Sequence, residues 1–118
     1  MIDVHTLRQM ALSLPETTEE PHFEKTSFRV NKKIFATFDA AANRVCLMLS
    51  PEDQSSFCTF DKNVIYPVPN KWGLKGATFA ELSSIKEEML QHALEVAYCK
   101  VAPARLSKPI IEKWQQLL

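Results

Sequence analysis

Glycine is almost missing from this chain. Average usage would place about eight in a chain of this length; there are two, Gly73 and Gly76, both inside Pro69-Asn70-Lys71-Trp72-Gly73-Leu74-Lys75-Gly76. A glycine-rich phosphate cradle of the Rossmann or Walker kind is thereby excluded. The permissive backbone is spent on one loop, where the chain has to turn sharply. Paired cysteines are missing too: Cys46, Cys58 and Cys99 are an odd number with no Cys-x-x-Cys, and His5, His22 and His92 stand at no zinc spacing from them. The pattern predicts reduced, mostly buried thiols in a cytoplasmic protein that holds no metal and no cofactor. No apolar run approaches the roughly 18–20 residues of a membrane span, and the start, with Asp3 and no apolar segment, is unlike a signal peptide. No membrane partner is expected. Excess charge of one sign is also lacking, with fourteen Lys plus Arg against fourteen Asp plus Glu. That balance rules out a binder driven by a basic tail; affinity for a polyanion would have to come from a local patch.

What is present is an ordinary globular composition, 46% hydrophobic and 24% charged over 118 residues. This suits a single domain, residues 1–118, large enough to bury a core without staples. Asp3 caps a first helix whose apolar positions Val4, Leu7, Met10, Ala11 and Leu14 recur at helical spacing, and Pro15 stops it. Glu16 to Pro21 reads as a polar connection. Three strands follow, around Phe28 and Val30, around Ile34, Ala36 and Phe38, and around Val45, Leu47 and Leu49. Turns at Asn31-Lys32 and at Asp39 to Asn43 join them, so they form an antiparallel meander.

Ser50-Pro51-Glu52-Asp53 is a helix start. Val64 to Val68 reads as a strand whose prolines, Pro67 and Pro69, suit a sheet edge. Ala77 to Leu82 is the fifth strand. Ser84-Ile85-Lys86-Glu87 fits a capping box before an amphipathic helix with Ile85, Met89, Ala93, Ala97 and Val101 on its apolar stripe. Ser107-Lys108-Pro109 opens a last helix with Ile110, Ile111, Trp114, Leu117 and Leu118 on one side. The predicted order is α-β-β-β-α-β-β-α-α. It implies an α+β fold, a five-stranded antiparallel sheet with the N- and C-terminal helices packed on one face and the other face partly open.

Hydrolytic chemistry finds no support: there is no Gly-x-Ser-x-Gly elbow and no His-Glu-x-x-His pair. Glu19, Glu20 and Glu24 around His22 read as an acidic surface turn, and Glu87 and Glu88 as helix-dipole partners. No catalytic residue is assigned. The cations gather at turns instead: Lys32 and Lys33 at the first hairpin, Arg44 after the second, Lys71 and Lys75 on either side of Trp72. Ammonium groups at hairpin tips neutralise phosphates, and an exposed indole stacks on a base or lies along a groove. The duller alternatives are lysines that keep a sheet soluble and an indole folded over the core.

Several stretches resemble the MmcQ/YjbR family. They are Ala11-Leu12-Ser13-Leu14-Pro15-Glu16, Pro21-His22-Phe23, Ser27-Phe28-Arg29-Val30 and Lys33-Ile34-Phe35-Ala36-Thr37 in the first half. In the second they are Val68 to Gly73, Gly76-Ala77-Thr78-Phe79 and Ala97 to Pro103. Together they span about residues 3 to 108 in the family's order. The resemblance implies a compact α+β fold similar to the bacterial frataxin class, and a weak DNA-binding function in which two β wings grip the duplex. Carried over, the wings are the hairpin at Asn31-Lys32-Lys33 and the loop from Asn70 to Gly76.

Two departures stand out: Ala77 occupies a place where relatives often carry tryptophan, and the tail after Ser107 is longer than the family norm. The tail either covers the core of its own chain or pairs with a second copy, so a monomer or weak homodimer is expected. The competing expectation is a protein-interaction or small-ligand module that uses the open sheet face. A frataxin-like metal role is disfavoured, since the first helix has only Asp3 and Glu16 near its ends.

Overall fold

A computed structural model gives the fold and describes residues 1–117. Helix α1 (Val4–Leu12) is followed by four strands, β1 (Thr18–His22), β2 (Lys25–Val30), β3 (Lys33–Asp39) and β4 (Arg44–Met48). Then come α2 (Pro51–Phe57), β5 (Ile65–Pro67), a single helical turn α3 (Lys71–Leu74), β6 (Ala77–Glu81), and the long helices α4 (Glu87–Val101) and α5 (Ala104–Gln116). The strands form one antiparallel sheet in the order β1-β2-β3-β4-β6-β5.

The α+β class stands, but the sheet has six strands rather than five. The extra one is β1, cut from the stretch read as a polar connection. It pairs only with β2, so it carries the marks of an edge: charge, and Pro21 at a position that donates nothing. Its inward signal is a salt bridge, Arg8 of α1 to Glu19 at 2.6 Å, which apolar periodicity does not register. The opposite edge is β5 with Pro67, as its prolines predict.

The core lies between the sheet and α4, which rests on β3 and β4 with α1 and α5 beside it. Phe28, Ala36, Leu47 and Thr78 are successive cross-strand partners, and all four are buried. Each fully buried Leu or Phe side chain contributes about 1.5–3 kcal/mol relative to exposure. Alternation alone would turn Phe35 away from this face. A bulge where β2 meets β3 at Phe28/Arg29 shifts the register, and Phe35 is fully buried with its ring 5.6 Å from that of Tyr98. The Tyr98 hydroxyl donates to the Pro15 carbonyl at 2.7 Å, which ties α4 to the turn that follows α1.

Caps at Asp3 and Ser50 form as expected, to Thr6 N at 2.8 Å and Asp53 N at 3.1 Å. The box at Ser84 does not. That serine lies in a turn, and α4 starts at Glu87 after Lys86 with no side-chain cap, because Ile85 is drawn into the core by burial. The last helix begins at Ala104 rather than Ser107 and contains Pro109. Its early start lets Leu106 and Ile110 bury together. Leu118, expected on the same stripe, lies outside the described residues. Trp114 sits on the α4 side, where its Nε1 donates to the buried Glu95 at 2.8 Å. No described helix is long and apolar enough to cross a membrane.

Candidate nucleic-acid interface

The loop from Asn70 to Gly76 is a welded one-turn helix. Asn70 Oδ1 accepts from Trp72 N at 2.8 Å and starts the turn. Gly73 is buried so closely that a Cβ there would lie 1.7 Å from the Val68 carbonyl oxygen. Gly76 has φ +114° and would bring a Cβ to 1.9 Å from the Leu49 oxygen. The two glycines of the chain are therefore spent on close approach and on left-handed backbone. Gln54 of α2 completes the weld, with Nε2 donating to the carbonyls of Gly73 (2.8 Å) and Ala77 (2.9 Å). With its inner side so fixed, the loop turns Trp72 outward, 55% exposed. Lys71 Nζ is 5.7 Å and Lys75 Nζ 5.1 Å from its ring centre. The indole does not fold over the core.

At the other candidate wing, Asn31 and Lys32 form the two-residue turn between β2 and β3, with φ +51° and +66°. Two consecutive positive φ values mark a type I′ hairpin, whose second position usually belongs to glycine. Here it is lysine, in a conformation that costs an L-residue about 1–2 kcal/mol. Lys32 and Lys33 are both exposed. Following strand directions through the register puts this tip and the α3 loop at the same end of the sheet. Three inter-strand spacings separate them, about 14 Å. Among the described residues, none of these four lysines is in a salt bridge. The first turn of α2, with Glu52 and Asp53, bounds the surface on its helical side.

Arg44 does not join them. It begins β4 at the opposite end of the sheet, paired across to Glu81. Its guanidinium lies 3.8 Å above the Phe79 ring and donates to the Tyr66 hydroxyl at 3.3 Å, which in turn donates to Glu81. That last bond holds the Tyr66 phenol above its usual range.

Sequence reasoning missed this cluster, and with it a transverse row on the sheet face away from the core. The row is Glu20, Ser27, Thr37, Cys46, Phe79 and Tyr66, each the direct partner of the next. The signal was available in principle, as the complementary set of each strand's alternation. Burial raises the thiols of Cys46 and Cys58 above their ordinary value and pushes Cys99 up to about 11. None is an activated thiolate at neutral pH. Among the described residues no three His, Cys, Asp or Glu side chains gather as a metal-holding group.

A family model, YjbR, matches residues 12–100. The chain belongs to the YjbR family. A solved structure similar to this YjbR chain is the crystal structure of the Deinococcus radiodurans protein DR2400, described as a DUF419 family-model domain. The two share 24% identity with a TM-score of 0.71, over 86% of this chain and 79% of that one. That likeness speaks for the fold. No curated protein matches. The matched span includes both lysine-bearing tips and ends before α5, so the helix that carries Trp114 lies outside it.

Proposed function

We propose that this YjbR-family chain is a non-enzymatic, cytoplasmic protein that binds duplex DNA weakly and without strong sequence preference. It holds the backbone with Lys32 and Lys33 on one tip and Lys71 and Lys75 on the other, with Trp72 as the positioning contact. One observation carries the reading: an exposed indole between two ammonium groups that make no salt bridge among the described residues stands on a fixed loop, at the same sheet end as a second lysine pair. The two connections lie three inter-strand spacings apart across the sheet, about 14 Å, which is of the order of a major groove about 12 Å wide. A lysine at a turn position that favours glycine supports it too, since a costly conformation kept at an exposed tip is typical of functional sites. Arg44 is not part of the surface.

The open sheet face is a poorer candidate for a partner, because its largest apolar ring, Phe79, is covered by the Arg44 guanidinium. The test is fluorescence anisotropy of a labelled duplex across a salt series. Affinity should fall with salt, with a slope of about 0.9 per phosphate contacted. Replacing Lys71 and Lys75 with alanine should flatten that slope by nearly two units, about 0.9 for each lysine. Affinity insensitive to salt, or unchanged in the double variant, overturns the proposal.

A further inference from the structure

The helical side of the molecule holds a cavity between α2 and α4, and we propose that it is a binding site for a small organic ammonium ion with an aromatic or short aliphatic body. Its volume is about 430 Å³, within the range of ordinary ligand pockets. Phe57 at the end of α2 and Phe60 in the turn after it form one side, Met89 and Val96 of α4 the other. Phe60 is 68% exposed, a large ring left without a covering neighbour.

The polar groups at the rim choose the ligand's charge. Asp53 and Glu88 line the cavity, and neither lysine nor arginine does. Neither carboxylate is in a salt bridge among the described residues. Asp53 takes a hydrogen bond from the neutral Ser50 hydroxyl at 3.0 Å, so no cationic side chain neutralises it. His92, itself exposed, also lines the cavity, its ring stacked on Trp114 at 5.4 Å and edge-on to Phe57 at 5.5 Å. Apolar and aromatic walls under an anionic rim attract a cation twice, through the carboxylates and through ring faces. An anion of the same shape meets the same walls and is repelled at the rim.

The probe is 2-phenylethylammonium, followed by the methyl NMR signal of Met89 in the full chain. Met1, Met10 and Met48 do not line the cavity and serve as internal controls. A saturable shift confined to Met89 is expected, with 3-phenylpropionate and 2-phenylethanol both weaker. Glu88→Gln should weaken the amine about twofold to fivefold, the range of an exposed ion pair. Ser56→Phe, at an exposed lining position, fills the space without touching the core and should abolish the shift while leaving thermal unfolding unchanged. Equal binding of the carboxylate and the amine, no saturation at Met89, or full binding by the Ser56→Phe variant would each overturn the proposal.

Discussion

The two lysine-bearing tips are built in opposite ways. The α3 loop is fixed from behind, by glycines that admit the Val68 and Leu49 carbonyls and by the two bonds from Gln54. The β2–β3 hairpin has no such side-chain clamp among the described residues and carries left-handed strain at Lys32. A rigid tip suits an aromatic that must point in one direction. A bare turn suits ammonium groups, which need reach more than orientation. The same end of the sheet therefore offers a fixed contact and an adaptable one.

This contrast is broken most severely at Gly76. An alanine there meets the Leu49 oxygen and a φ that L-residues avoid, so urea unfolding should show a loss of about 4 kcal/mol or more. Gln54→Ala acts on the same tip more gently. It strips one donor from two carbonyls and should cost about 1–3 kcal/mol, with Trp72 fluorescence becoming more solvent-like. Lys32→Gly runs the other way. Relief of the left-handed strain, less the added freedom of the unfolded chain, should raise stability by up to about 1 kcal/mol. The same change should lower the salt slope of DNA binding by about 0.9. Stability gained together with charge lost is the signature expected of a tip kept for binding; a destabilised variant contradicts the strain assigned to Lys32.

The smallest effect sharpens the contrast through the second tryptophan. Burial alone would raise the Glu95 carboxyl, but bonds from Trp114, Gln91 and Lys113 outweigh it and hold the group below its ordinary value. A carboxylate depressed in the folded state stabilises above its unfolded value, about 4.3, and that contribution fades as pH falls from there through the lower folded value. Acid titration should thus release the end of α5 first, seen in Trp114 emission and absent in Glu95→Gln. Trp72, whose neighbours are ammonium groups, should show no change over that window.

Much of this arrangement was legible in the residues. The meander, the Asp3 and Ser50 caps, the edge position of β5 and the lysines at the tips follow from alternation, capping chemistry and proline. Strand β1 escaped because its inward contact is Glu19 with Arg8 rather than an apolar side chain. The place of Phe35 escaped because one bulge reverses alternation, and α3 because a single turn has no period. Grouping Arg44 with the lysines was an error of direction rather than of charge. Successive hairpin turns fall at alternate ends of a sheet, so a residue after the second turn sits opposite the first.

The most direct test of the two-tip surface is an NMR titration of the chain with a short DNA duplex. The Trp72 indole N–H and the amides of Lys32, Lys33, Lys71 and Lys75 should shift together along one binding curve, with Arg44, Tyr66 and Phe79 unmoved. Shifts centred on Arg44 and Phe79, or on one tip without the other, would contradict it.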